Sequence, residues 1–191
     1  MAGASFQALM SASSSPATIT YTDFEMQDSA ATTYTYTSKA IGAASAGRYV
    51  IIATSATQTA SRTVSSVTVG GISATLVVSA EGSGSSVFSR TSIWIAAVPT
   101  GTTATVVVTY SGGENRSGIG VWAAYNLLSA TATNTGSSSA STDPMTASLT
   151  INADGVGVGV AHNYYSTSQT SYAWTNLTEN YDNVAGAGTV G

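Results

Sequence analysis

The sequence predicts an all-β domain, an antiparallel, jelly-roll-like β-sandwich of about eight to ten short strands. Three observations support this fold class. Apolar and polar residues alternate with a period of two in several short segments, and turns that contain Gly or Pro separate these segments. Charged residues make up only 7% of the chain, so Ser, Thr, Gly and Asn must supply most of the polar surface. That composition favours strands and turns over helices.

The first strand patterns lie between residues 17 and 53. Residues 17–24 and 33–41 alternate, and in the second segment Tyr34 and Tyr36 share one face. Residues 49–53 form a continuous apolar run that is short enough for a buried strand. This run predicts the central strand of the core.

A hairpin is predicted over residues 64–78, where two β-rich runs flank Gly70 and Gly71. Consecutive glycines supply the positive φ angles that a two-residue hairpin turn needs. Residues 99–101, Pro-Thr-Gly, predict a further turn between antiparallel neighbours. More strands are predicted at residues 87–98, 103–110 and 117–125. In the last of these, glycines at 118 and 120 indicate a bulge or a close approach of the backbone.

The last third of the chain is less regular. Residues 129–144 are of low complexity and predict a long exposed loop. Strands are predicted at residues 145–151, 156–161 and 172–178. Alternating glycines in the second of these leave room for a bulky neighbour such as Trp94, Trp122 or Trp174. The final GAGTVG has no strand pattern, which predicts an end that is frayed or paired with another subunit.

Two segments are predicted from these patterns: a flexible N-terminal arm at residues 1–16 and a single β-sandwich domain at 17–191. Phe6, Leu9 and Met10 have helical spacing in the arm and are candidates for docking on a neighbour. The arm lacks the basic start and the apolar stretch of a signal peptide. No apolar run approaches the length of a membrane span.

Charge and cysteine content limit the partners. The net charge is −4 and the basic residues are scattered singly, which is too little positive charge for several phosphate contacts, so nucleic acid is not expected. The chain has no cysteine, which removes disulfides and thiolate metal sites.

No catalytic, cofactor-binding or metal-binding set is predicted. His162 is the only histidine and ends an apolar strand, which favours a structural role over that of a general base. The sequence has two small groups of acidic residues. Solvated surface charge explains them better than a calcium site does, because calcium needs six to eight oxygen ligands. Their members are Asp23, Glu25 and Asp28 in one group, and Glu179 and Asp182 in the other.

An aromatic cluster follows His162. Tyr and Trp are good contact residues because they bury large areas and lose little entropy. Tyr164, Tyr165 and Tyr181 are predicted as candidate surface contacts, whereas core packing is favoured for Trp174.

Four segments resemble a family of virion-associated β-sandwich proteins of tailed bacteriophages, particularly phages of marine and alphaproteobacterial hosts. They are RTVSSVTVGGISATLVV (62–78), SIWIAAVPTGTTATVVVTYSG (92–112), IGVWAAYNL (119–127) and VGVAHNYYSTSQTSYAWTNLTENYD (158–182). The resemblance implies a β-rich virion component and assigns no catalytic residue. Family members are often longer, so a further strand is expected where this sequence stops.

The expected function is that of a non-enzymatic structural protein on the exterior of a tailed-phage virion, as a head decoration or spike or as a tail-fibre module. Other virion proteins are the expected partners, and a homotrimer is the expected assembly. The alternative is a carbohydrate-binding module that recognises host surface glycans through its tyrosines. A glycosidase that uses paired carboxylates is a third, weaker hypothesis.

Overall fold

The structure is a computed structural model that describes residues 2–10, 15–84, 87–140, 145–164, 173–185 and 188–190. Within these ranges the chain is all β, which confirms the predicted fold class. The strands are β1 (Ala2–Met10), β2 (Thr18–Gln27), β3 (Ala31–Ala40), β4 (Tyr49–Gln58), β5 (Val64–Val69), β6 (Ile72–Ser73), β7 (Thr75–Ser83), β8 (Phe88–Ala97), β9 (Thr103–Glu114), β10 (Arg116–Tyr125), β11 (Asn134–Ala140), β12 (Val156–Tyr164), β13 (Asn183–Ala185) and β14 (Gly188–Val190). The described part of the chain contains no helix that could cross a membrane.

Two facing sheets form a jelly roll. The central sheet has the order β2-β10-β4-β8-β7, and the front sheet has the order β3-β9-β5-β6. The antiparallel pairs β2–β10, β3–β9, β4–β8 and β5–β6 are nested in sequence and alternate between the two sheets. This is the pattern of a long hairpin rolled up on itself. The pairs β10–β4 and β9–β5 close the roll.

The first core lies between the central and front sheets. Tyr34 and Tyr36 of β3 are both buried there, as their shared face predicts. Their hydroxyls donate to the Glu114 carbonyl and to Ser117 Oγ, each at 2.8 Å. Tyr110 Oη also lies 2.7 Å from Ser117 Oγ. The phenol groups therefore enter an apolar core without leaving their hydroxyls unpaired.

A third sheet, the cover sheet, has the order β11-β1-β12-β14-β13 and packs on the outer face of the central sheet. Val158 and Val160 of β12 meet Ile51 of β4 and Ile93 of β8 there. Strands β4, β8 and β10 are consequently buried on both faces. The apolar run at 49–53 is confirmed as a central core strand, and its lack of alternation follows from this double burial.

The flexible arm predicted at residues 1–16 and the exposed loop predicted at 129–144 each contain a strand in the structure, β1 and β11. Ala2–Met10 forms β1, which pairs with β11 on one side and with β12 on the other. The side chains of Phe6, Leu9 and Met10 lie outside the described residues. Both segments lack apolar alternation, but strand pairing uses backbone groups, so a Ser-rich segment can pair wherever a partner strand is available.

Several strand boundaries were also predicted wrongly. No strand is present at residues 145–151 or 173–178, whereas β13 and β14 form near the C-terminus, where no pattern predicts them. The Gly70-Gly71 hairpin is confirmed, although its second strand ends at Ser73 and the chain then crosses to the central sheet. The turn at residues 99–101 likewise joins two sheets rather than two neighbours. Long-range packing decides these crossings, and the local pattern does not encode it.

A buried arginine ties two of these sheet-to-sheet connections together. Arg48, only 1% exposed, donates four hydrogen bonds to backbone carbonyls. Its acceptors are Val98 at 2.8 Å, Gly42 at 2.7 Å, Gly101 at 2.9 Å and Thr100 at 2.7 Å. The planar guanidinium can satisfy several fixed carbonyls at once, so it links the β3–β4 connection to the β8–β9 connection.

Replacing this arginine is expected to destabilise the fold strongly. Arg48→Met leaves four carbonyls without their donor and should cost about 3–5 kcal/mol of unfolding free energy. Arg48→Lys keeps the charge but not the fork of donors, and should lose most of the same energy. Lys39→Met is the matched control, because it removes a cation paired with partly exposed carboxylates and should cost about 1 kcal/mol or less. Urea denaturation measures all three, and an Arg48→Met loss below that of Lys39→Met would contradict the assignment.

Candidate functional site

An aromatic cleft of about 290 Å³ opens on the outer face of the central sheet. Strands β2, β10 and β12 form its floor, and residues 173–181 form its rim. The cleft is lined by Ile19, Tyr21, Trp122, Gly157, Val158, Gly159, Trp174, Asn176, Leu177, Thr178, Glu179, Asn180 and Tyr181. Its volume lies at the lower end of the roughly 300–1,000 Å³ that is usual for small-molecule sites.

Tyr181 packs the rim segment, residues 173–181, against strands β2 and β10. Its ring stacks on Tyr21 with centroids 5.7 Å apart and lies 4.5 Å from Phe24 and 6.0 Å from Trp122. Tyr21 and Phe24 are three residues apart and would face opposite sides of a regular strand. A register shift of β2 against β10 at Val121/Trp122 allows both rings to contact Tyr181.

Gly120 makes room for this aromatic cluster. A Cβ atom at Gly120 would lie 2.6 Å from Tyr181 Oη and 2.7 Å from Trp122 Cη2. Glycine is therefore required there by close approach, as the glycines of this segment predict. Burial raises the pKa of the Tyr181 hydroxyl well above its usual value, so this group stays protonated at neutral pH.

Polar groups surround the aromatic floor. Trp122 Nε1 donates to Asn180 Oδ1 at 2.9 Å, which ties the rim to β10. Asn176 has a φ of 64°, a conformation that asparagine tolerates better than most residues. Trp174 is half-buried, whereas Glu179 is exposed. The cleft thus combines aromatic surface with amide and carboxylate groups at its edge.

The predicted contact residues have different outcomes. Tyr181 is in the cleft but is half-buried and engaged in packing. Tyr164 ends β12, and its side chain lies outside the described residues, as does all of Tyr165. Trp174, which the sequence favoured as a core residue, lines the cleft instead. Sequence reasoning missed Tyr21, because an isolated tyrosine in an alternating strand carries no sign of a distant partner.

His162 lies in the packed interior. It is 1% exposed and continues the row of inward-facing residues on β12. Its Nε2 lies 3.1 Å from Thr57 Oγ1 on β4. Burial lowers the pKa of His162 from 6.5 to about 4, so the ring is neutral at pH 7.

Glu114, at the end of β9, is a buried carboxyl group. Burial raises its pKa from 4.5 to about 7, while the nearby Arg90 and Arg62 charges oppose this shift and Glu81 adds to it. Arg90 is itself paired with Glu81. Neither Glu114 nor His162 opens into the cleft, so both belong to the framework.

These two groups should give opposite pH dependences of stability. Folded Glu114 keeps a proton that the unfolded chain releases, so its contribution to the free energy of unfolding falls as pH rises from about 4.5 to 7. Folded His162 lacks a proton that the unfolded chain binds, so its contribution rises between about pH 4 and 6.5. The two slopes nearly cancel in the natural chain over their shared range.

Single variants should expose each slope. Glu114→Gln leaves the histidine effect, and unfolding free energy should increase from pH 4.5 to 6.5 by up to about 1.4 kcal/mol per pH unit. His162→Gln leaves the carboxyl effect, and unfolding free energy should decrease over the same range. Urea denaturation at a series of pH values measures both, and flat profiles for both variants would contradict the assignment.

A lysine side chain lies within the first of the two acidic groups. Lys39 Nζ lies 3.4 Å from Asp23 Oδ1 and 2.8 Å from Glu25 Oε2, so an ammonium group occupies the space between these carboxylates. Among the described residues, no three His, Asp or Glu side chains come together as metal ligands. Glu179 lines the cleft, whereas Asp182 does not.

Comparison of the chain with protein-family models, curated proteins and solved structures finds no match. The cleft and its surroundings are therefore the basis on which a function can be proposed.

Proposed function

We propose that this chain is a non-enzymatic carbohydrate-binding module and that the aromatic cleft is its binding site. The observation that carries the proposal is an open cleft in which the half-buried rings of Tyr21 and Trp174 meet a polar rim, with the buried Trp122 beneath them. The C–H faces of a sugar ring pack well on the electron-rich faces of aromatic rings. Sugar hydroxyls need donors and acceptors at the edge of such a surface, and Asn176, Asn180 and Glu179 supply both kinds.

The construction of the cleft supports binding without large rearrangement. The Trp122 indole is held by Asn180, and Tyr181 is held by the aromatic cluster above Gly120. Binding to a preformed surface loses less entropy than binding to one that must first be ordered. Jelly rolls occur in lectin domains as well as in viral capsid proteins, which is a likeness of fold only.

Glycan-array binding followed by calorimetry tests this proposal. Trp174→Ala removes aromatic surface and should weaken binding about tenfold or more. Gly120→Ala should also weaken it, because the added methyl group displaces Tyr181. Leu76→Ala and Gly47→Ala are matched controls, since Leu76 is exposed on β7 outside the cleft and an added Cβ at Gly47 meets nothing within 4 Å. The absence of any glycan ligand, or equal binding by all four variants, would contradict the proposal.

A second candidate function concerns location: a structural protein on the exterior of a tailed-phage virion. The resemblance to virion-associated sandwich proteins supports it. The segments that carry this resemblance include β5, β6 and parts of β7 to β10 and of β12, which contribute residues to the packing on both faces of the central sheet. Such a protein could be a head decoration, a spike or a tail-fibre module, and glycan binding would suit a surface that meets the host.

Purified particles would test this second candidate. Mass spectrometry should detect the chain, and cryo-electron microscopy should place it on the head lattice or on the tail. Light scattering on the isolated protein should give three times the 19.1 kDa mass of one chain if the expected homotrimer forms. Absence from particles would rule out the virion role, and a monomer at high concentration would rule out the trimer.

A further inference from the structure

Among the described residues that line the cleft, the charge is negative. Glu179 is the charged residue of its lining, and no Lys or Arg is among the described lining residues. Burial is the main cause of the raised pKa of the Tyr21 hydroxyl; the Asp23 charge adds to this rise and the Lys39 charge opposes it. The cation nearest this acidic group, Lys39, is already paired with Asp23 and Glu25. A ligand in the cleft therefore meets the Glu179 carboxylate and no cationic side chain among the described residues that line the cleft.

We infer that the cleft selects uncharged sugar units and discriminates against acidic ones such as uronic and sialic acids. This inference rests on the proposed carbohydrate binding and adds the class of sugar. A ligand carboxylate in the cleft would lie near Glu179 without a cation to pair with it, and the cleft walls would also remove part of its hydration. Neutral hydroxyls avoid this cost, because the Glu179 carboxylate can accept hydrogen bonds from them.

The polar groups at the rim also suit neutral hydroxyls. Asn180 Oδ1 already accepts a hydrogen bond from Trp122 Nε1, so this amide offers a ligand chiefly its two N–H donors. Asn176 adds a second amide, and Glu179 adds a strong acceptor. The volume of about 290 Å³ suits one or two sugar rings. A short neutral stretch or chain end of a glycan is therefore the ligand that best matches the cleft.

Acidic polysaccharides compared before and after chemical reduction of their carboxyl groups test this inference, because the reduction turns each uronic acid into the corresponding neutral sugar. Uronic-acid polysaccharides of several linkages, each in both forms, should be titrated against the full chain at low and at physiological salt. The reduced forms should bind more tightly, by about three- to fivefold at low salt and by less at high salt.

Two variants separate the Glu179 charge from general charge effects. Glu179→Gln should reduce the difference in binding affinity between the unreduced and the reduced form of each polysaccharide. Asp28→Asn should not, because Asp28 is exposed in the β2–β3 turn, about 20 Å along the strand from Tyr21. Circular dichroism and melting temperature check that both variants fold, and both changes lie at exposed positions.

Three results have distinct meanings. Equal or tighter binding of the unreduced acidic forms would overturn the selectivity and leave carbohydrate binding intact. If Glu179→Gln leaves the difference in affinity between the two forms unchanged, the selectivity is also overturned, because the Glu179 carboxylate would then not cause it. If neither form binds, and no neutral glycan on the array binds, the proposed carbohydrate binding itself is overturned.

Discussion

The middle strands of the central sheet are covered on both faces, and most other features of the fold depend on this constraint. The front sheet buries one face and the cover sheet buries the other. The middle strands must therefore place side chains that tolerate burial, mostly apolar or small ones, at successive positions. This requirement accounts for the continuous burial of β4, β8 and β10, and for a chain that alternates between sheets rather than meandering within one.

Several polar side chains in this layered interior find their partners in the backbone or in neighbouring hydroxyls. Arg48 pairs with carbonyls of two connections, and Ser117 meets the hydroxyls of Tyr36 and Tyr110. His162 stays neutral beside Thr57. The contacts of Arg48 with Val98, of Tyr36 with Ser117 and of Thr57 with His162 join elements that are distant in sequence, so they help to specify which strands meet as well as stabilising them.

The cleft arises where the cover over the central sheet is incomplete. The segment at residues 173–181 does not pair as a strand, and Tyr181 fastens it through ring contacts instead. Aromatic surface is thereby left open between this segment and the sheet. A binding surface built on a rigid sheet and bordered by an irregular segment is a common arrangement, since the sheet provides position and the segment provides varied polar groups.

The sequence by itself determined the fold class, the inward face shared by Tyr34 and Tyr36, the core strand at residues 49–53 and the Gly70-Gly71 turn. Each of these depends on a local period or on the backbone preference of one residue type. It also singled out Trp174 and Tyr181 as residues of interest, but by residue type alone. Only the tertiary structure decided which sheet each strand joins, that residues 2–10 and 134–140 form strands, and that Tyr21 and Trp122 meet Tyr181 above Gly120. These features depend on contacts between residues far apart in the chain, and no local pattern records such contacts.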